Sequence, residues 1–271
     1  MRAVGQGSLK AMEPEDVATL WPQPGPGSDK YSRGVVGIDT GSARYPGAAV
    51  LTVLGALWSG AGFIRYVGTD AAKPALLLRT PSITYGAGRV QAWCLGSGWD
   101  EAEFGIARLQ ARLSDGVPCV LDAGALSLLG GASEPLPPGS LLTPHAAELA
   151  RLLGVKREQV NGHPLEYAAE AASRFQATVL LKGAVQYVIA PNGAAITAVR
   201  GPAWTAQAGS GDVLAGSCAA LLASGVTALS AGALAASAQA LAAAAHPGPI
   251  PPDVLVSYFP EVIVASRRQG W

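Results

Sequence analysis

From Gly34 to Ala245, short apolar runs alternate with stretches of helical periodicity, and most of the runs stop on a glycine or a polar residue. Short apolar runs bounded by turn formers read as buried strands; apolar residues at helical spacing read as helices. Strands are expected at 34–38, 62–67, 90–95, 118–121, 141–142 and 178–181. Helices are expected at 46–59, 101–113, 146–153, 165–175, 212–224 and 229–245. Residues 187–190 and 194–199 flank Pro191-Asn192-Gly193, a hairpin signal. Alternation with one hairpin implies an α/β fold: a mostly parallel central sheet with helices on both faces, in a single domain over residues 30–271. Residues 1–29 end in a proline- and glycine-rich run and read as a loose extension or a short docking segment.

In open α/β sheets, ligands bind outside the carboxyl ends of the strands. Gly96-Ser97-Gly98, Asp122, His145 and Lys182 all fall at expected strand ends. Residues far apart in sequence are therefore expected to share one cleft. Any anion bound there must be held by local geometry, because 19 basic and 19 acidic residues leave no net charge to attract nucleic acid or anionic lipid. Three scattered cysteines, without a CxxC pair or a His/Cys cluster, give no disulfide framework and no protein-held metal site. They fit a reduced, cytoplasmic compartment. The most apolar stretch, 228–245, is mostly alanine broken by Ser, Gly and Gln, and reads as a packed helix rather than a membrane span.

The segment richest in chemistry is Gly209-Ser210-Gly211-Asp212. Val213, Leu214, Cys218, Leu221 and Leu222 follow at helical spacing, so the glycines lie just before a helix. Glycine lets a ligand approach the backbone and lets successive N–H groups converge. The helix start adds partial positive charge, worth roughly 0.3–1 kcal/mol for an anion. Asp212 would then lie beside a bound phosphate, placed to take a proton from a substrate hydroxyl. Alone, the turn is equally consistent with an ordinary glycine bend and an aspartate at a helix start.

An ordered set of further segments resembles the ribokinase-like superfamily and, within it, the ADP- or ATP-dependent NAD(P)H-hydrate dehydratases. Gly41-Ser42 with Tyr45-Pro46-Gly47-Ala48-Ala49 resembles that family's GS…YPGA segment. Gly96-Ser97-Gly98 resembles its GPG loop, Leu121-Asp122-Ala123 its LDA, and Thr143-Pro144-His145 with Glu148 its TPH-x-x-E. Leu180 to Gly183 and Gly209 to Gly216 complete the set, over roughly residues 30 to 262. His246 with Gly248 resembles a degraded form of the family's late His-Gly.

The resemblance implies a hydro-lyase that restores NADH or NADPH from the (S)-epimer of its 6-hydroxy hydrate. Phosphorylation of that hydroxyl by ADP or ATP makes it a leaving group. By resemblance, Asp212 is the catalytic residue, and Ala48, Gly98, His145 and Asp212 contact the substrate. Lys182, Gly183, Ala184, Val185 and Gln186, with Gly209, Ser210 and Gly211, bind the nucleotide. Mg²⁺ is expected to bridge phosphate oxygens. A homotetramer is expected, with a separate epimerase acting in the same pathway, since about thirty residues before the matched region leave no room for the epimerase domain many bacterial relatives carry. The same turn would serve a small-molecule kinase of the superfamily or a non-catalytic nucleotide-binding relative. Tyr45-Pro46-Gly47-Ala48 and Thr143-Pro144-His145 favour the dehydratase, and intact Asp212 and Lys182 favour catalysis. Departures from the family pattern are Asp100 and Gly124, where Gly and Asp are usual, and Gln186 and Gln207, where Thr is frequent.

Overall fold

A computed structural model describes residues 9–100, 105–131 and 135–268. Its ten strands are β1 (Lys10–Ala11), β2 (Val35–Asp39), β3 (Phe63–Tyr66), β4 (Thr84–Tyr85), β5 (Ala92–Leu95), β6 (Cys119–Leu121), β7 (Leu141–Leu142), β8 (Thr178–Leu181), β9 (Tyr187–Ile189) and β10 (Ala195–Thr197). They form one sheet in the order β1-β10-β9-β8-β7-β6-β5-β2-β3-β4. Only the β8–β9 and β9–β10 pairings are antiparallel, and the second is the expected hairpin. The chain runs outward from β2 to β3 and β4, then returns to the other side of β2 as β5. That reversal opens a crevice at the carboxyl ends of β2 and β5.

The helices are α1 (Pro14–Leu20), α2 (Pro46–Trp58), α3 (Lys73–Arg79), α4 (Ile106–Leu113), α5 (Gly124–Leu129), α6 (Ala146–Leu153), α7 (Arg157–Gly162), α8 (Pro164–Phe175), α9 (Ser210–Ala223), α10 (Ala228–Ala245), α11 (Pro252–Leu255) and α12 (Phe259–Arg268). Strand residues alternate between two layers, as a period of two requires. Val36, Ile38, Cys94, Val120, Leu141 and Leu180 face α2, α9 and α10. Val35, Leu95, Leu121, Leu142, Val179 and Leu181 face α4 to α8. Both layers are apolar because both faces of a parallel sheet are covered.

Of the two readings of the N-terminal segment, the docked one fits the described residues. β1 adds to the sheet edge beside β10, and Met12, Val17 and Trp21 are buried in the core with α12. The proline-rich run that follows hid this, because a short strand and one two-turn helix carry little periodic signal. The helix expected at 101–113 begins at Ile106, and residues 101–104 lie outside the described residues. Helix α10 is long and apolar enough to cross a membrane, yet 72% of it is buried within the fold.

Two helices position the site. Helices α2 and α9 cross in direct backbone contact, made possible by Gly55 and Gly216. A Cβ on Gly216 would lie 2.0 Å from the Thr52 carbonyl oxygen, and one on Gly55 would lie 2.1 Å from that of Val213. Ser217 reinforces the crossing by donating to the Gly55 carbonyl at 3.2 Å.

Candidate active site

Four neighbouring strands, β5 to β8, deliver Ser97, Asp122, Thr143 and Lys182 to one end of the sheet. Asp122 is the hub. Its carboxylate accepts from Lys182 Nζ at 2.6 Å, Thr143 Oγ1 at 2.9 Å and Ser97 Oγ at 3.0 Å. Ser97, Asp122 and Thr143 are all buried, so each bond satisfies a group that water does not reach. Asp122 does not cap the helix after it. That N-cap is Ala123, held at φ 45°, a left-handed conformation that costs a residue with a side chain about 1–3 kcal/mol.

Lys182 joins this hub to the glycine turn. A Cβ on Gly211 would lie 3.4 Å from Lys182 Nζ, so the ammonium sits over the start of α9. Burial alone would pull the lysine's pKa down, but Asp122 and Glu148 outweigh it and the pKa is raised. The turn bends through Gly209 at φ 93°. Ser210 donates its amide to the Gln207 carbonyl at 3.2 Å, and Val213 donates to Gly209. Among the described residues, the amides of Gly211 and Asp212 have no hydrogen-bond partner. The free donors at the helix start are therefore displaced toward the C-terminal side of the Gly209-Ser210-Gly211 triplet. Gln239 holds the turn from α10 by donating to the Ser210 carbonyl at 3.0 Å.

Asp212 lies half-buried beside this hub. Burial and the neighbouring Asp122 charge raise its pKa to about 7, against opposing pulls from Lys182 and a Ser97 hydrogen bond. A carboxyl group in that range changes protonation near neutral pH, as a proton-handling group requires. The nearby thiols of Cys94 and Cys218 are buried, and burial pushes both up, so they stay protonated.

The expected site residues separate into two groups. His145, Lys182, Gly183, Ala184, Gln186, Ser210 and Gly211 line one cavity of about 600 Å³. Val185 and Gly209 belong to the same two loops without being part of its wall. Ala48, Gly98 and Asp212 lie outside that wall. Gly98, at φ 69°, packs on Ala48 so closely that a Cβ there would meet the alanine's at 2.5 Å. The loops of β2 and β5 are stitched by the Gly41 amide, which donates to the Ser97 carbonyl at 2.7 Å. Ala48 and Gly98 therefore lie at the β2–β5 reversal, and Asp212 lies at the start of α9 within range of the Asp122 and Lys182 charges. His145 is on the cavity wall rather than beside Ala48 and Gly98.

His145 also has a structural duty. Its Nδ1 accepts from the amides of Ala147 and Glu148 at 3.2 and 3.1 Å, and Glu148 accepts from the His145 amide at 2.8 Å. This capping box leaves the proton of a neutral ring on Nε2. His145→Ala is expected to cost about 1 kcal/mol of stability through the lost cap, and His145→Asn to keep most of it, as thermal unfolding would measure. A substrate contact would appear as weaker substrate affinity in both variants.

Three family departures have local reasons. A Cβ at Gly124 would meet that of Trp99 at 2.7 Å. Asp100 pairs with Arg44 at 4.0 Å. Gln207 donates to the carbonyls of Trp204 and Ile250 at 2.7 and 3.0 Å, tying two loops together at the cavity mouth. Among the described residues, no side-chain bond accounts for Gln186.

The described geometry has known counterparts. A family model described as NAD(P)H-hydrate dehydratase matches residues 36–249. A bifunctional NAD(P)H-hydrate repair enzyme of Mycobacterium tuberculosis is 42% identical over 216 residues, covering 75% of this chain and 44% of that one. The chain thus spans less than half the length of that bifunctional relative. An ADP-dependent (S)-NAD(P)H-hydrate dehydratase of Xanthomonas campestris is 36% identical over 217 residues, covering 72% of this chain and 74% of that one. Among solved structures, an ADP/ATP-dependent NAD(P)H-hydrate dehydratase of Bacillus subtilis superposes with a TM-score of 0.85 at 26% identity, covering 95% of this chain and 99% of that one. The fold is ribokinase-like, as expected from the motif order. With the ordered motifs converging on one end of the sheet and the match covering most of its length, the chain belongs to the NAD(P)H-hydrate dehydratase family.

Proposed function

We propose that this chain dehydrates the (S)-hydrate of NADH or NADPH, with ADP or ATP as phosphoryl donor. The observation that carries this reading is one arrangement: free amides at the start of α9, the Lys182 ammonium over them, and Asp212 poised near neutrality beside them. The cavity walled by Lys182 to Gln186 and by Ser210 and Gly211 takes the nucleotide, and the crevice at Ala48 and Gly98 takes the hydrated dinucleotide. His145, at the cavity edge, reaches toward the substrate from the nucleotide side.

Asp212 takes the proton of the 6-hydroxyl as its oxygen bonds to the terminal phosphorus. The amides of Gly211 and Asp212 and the Lys182 ammonium meet the charge on the transferring group, which in phosphoryl transfer spreads over the equatorial oxygens. The nucleotide leaves one phosphate shorter. The C–O bond then breaks as the ring nitrogen's lone pair moves in, phosphate departs, and loss of a proton from the adjacent carbon restores the ring double bond. Mg²⁺ fits as a passenger on the phosphates. Among the described residues no three His, Cys, Asp or Glu side chains converge, and Asp122 is already engaged by three donors. When bound, the ion supplies neutralisation of phosphate charge. Cytoplasmic placement, assembly as a homotetramer and cooperation with a separate epimerase belong to the same proposal and rest on the resemblance.

The test is repair itself. Hydrated NADH and NADPH incubated with the protein, Mg²⁺ and either ADP or ATP should regain the near-ultraviolet absorbance of the reduced nicotinamide, with release of phosphate. No recovery with either nucleotide overturns the proposal, and a stable phosphorylated product without recovery would identify a kinase instead.

A further inference from the structure

We propose that Gln239 reads the nucleoside of the bound nucleotide, presenting its carbonyl oxygen to an N–H of the base or an O–H of the ribose. This rests on the reading of the cavity as the nucleotide's. Helix α10 is built mostly of alanine, with Ser230, Ser237 and Gln239 as its polar side chains. Gln239 is 5% exposed, yet it lines the cavity beside Ser210, Leu214 and Ala240. A carboxamide carries two N–H donors on Nε2 and acceptor lone pairs on Oε1. The Ser210 carbonyl, 3.0 Å away, can only accept, so the Nε2 end of the amide faces the start of α9. That settles the amide's orientation and leaves Oε1 as an acceptor. Among the described residues Oε1 has no partner, and it is not sealed from solvent; the space open to it is the cavity that Gln239 lines.

The wall around this acceptor is apolar and held in place. Val199 donates its amide to Ser237 Oγ at 2.9 Å. A Cβ on Gly201 would lie 2.8 Å from Ala240 Cα, so the segment leading to Pro202 lies directly on α10, one residue from Gln239. Val199, Pro202, Leu214 and Ala240 offer apolar surface to a nucleoside, while Lys182 and Gly211 form the polar wall for its phosphates. Once a nucleotide displaces water from the cavity, Oε1 is satisfied only by a donor on the ligand. A desolvated acceptor without a donor is costly, so a ligand lacking that donor is disfavoured. The 6-amine of a purine and the hydroxyls of ribose are the donors a nucleoside has to offer. One amide thus does two things: Nε2 ties the glycine turn that meets the phosphates, and Oε1 fixes the nucleoside relative to it.

The test is calorimetric titration of wild type and Gln239→Met, which keeps the length of the side chain and removes its amide. The ligands are ADP, purine riboside diphosphate, which lacks the 6-amine, and the 2′- and 3′-deoxy forms of ADP. In the wild type, one of these analogues should bind about three- to tenfold more weakly than ADP, and in Gln239→Met that ratio should fall to about one. Weakening of the purine analogue places the donor on the base; weakening of a deoxy form places it on the ribose. A purely structural role through Ser210 would act differently. Loss of the tie would weaken every ligand by the same factor, inorganic pyrophosphate included, and leave the ratios unchanged. Unchanged ratios in Gln239→Met, or a wild type that binds all the analogues as tightly as ADP, overturn the inference. If Gln239→Met does not fold, Gln239→Ala carries the same comparison. The titrations need no hydrated dinucleotide. Failure of ADP to bind at all would therefore sink the nucleotide reading of the cavity, whereas ADP binding with unchanged ratios sinks only the role of Gln239.

Discussion

Asp212→Asn is expected to lower turnover by about 10²–10⁴-fold while nucleotide binding persists. The amide keeps the size of the carboxyl group and the start of α9 is unchanged, but it has no basic oxygen with which to take the hydroxyl proton. The cavity proposed for the nucleotide is walled by other residues, so titration with ADP should give a near-native affinity. Full activity in the variant would remove Asp212 from the mechanism. The same group ties activity and stability to pH in opposite ways. With its pKa raised to about 7, Asp212 is charged, and competent as a base, only toward neutral pH and above; kcat/KM in the wild type should fall as pH drops below about 7. For stability, the folded protein holds this proton over a range in which the unfolded chain, near 3.8, has already lost it. The contribution is full below the unfolded value and is lost as pH rises to the folded one. Above about pH 7 the wild type carries a half-buried charge. Asp212→Asn should then be the more stable protein by roughly 1–3 kcal/mol, discounted for the side chain's partial exposure, with no difference near pH 4. Thermal unfolding at several pH values measures this; a difference that does not grow with pH would contradict it.

Gly216→Ala and Gly55→Ala should each destabilise the fold by about 2–4 kcal/mol. In a helix interior this exchange ordinarily gains up to about 1 kcal/mol, because alanine loses less backbone freedom. Here the added methyl would sit about 2 Å from a carbonyl oxygen of the facing helix, where no atom fits. The α2–α9 crossing must then widen, and backbone cannot yield as a flexible side chain would. Gly47→Ala is the control, since nothing lies within 4 Å of its added carbon. Denaturant unfolding should separate the three variants; Gly216→Ala as stable as Gly47→Ala would show that the helices can part freely. Because α9 carries Gly211 and Asp212, surviving Gly216→Ala protein should also lose turnover more than nucleotide affinity.

Much of this was legible in the chain. Apolar runs such as 178–181 and 141–142 appear as strands with their expected bounds, because burial on both faces writes a continuous apolar signal. Helix α9 begins at Ser210, inside the glycine turn and two residues before its expected start, and Gln207 to Gly209 supply the bend. Elements lying at the margin were not legible. β1 and α1 depend on β10, α10 and α12 for their burial, and a two-residue strand has no pattern of its own. Among site residues, Ser97 and Thr143 appeared only as parts of motifs, and Gln239 gave no signal within its alanine-rich helix.

The residues themselves determined the layering, the direction of the sheet and the glycine turn before α9, since each follows from local periodicity and backbone freedom. Tertiary structure alone decided that Ser97, Asp122, Thr143 and Lys182 are neighbours, that the amide of Ser210 is spent on Gln207, and that His145 stands on the wall of the same cavity as Lys182 and Gly211. Those facts depend on strand order and on how closely α2 and α9 approach, and neither distance is encoded in any one segment. The poise of Asp212 near neutrality is of the same kind, because burial and three side chains from separate strands set it together.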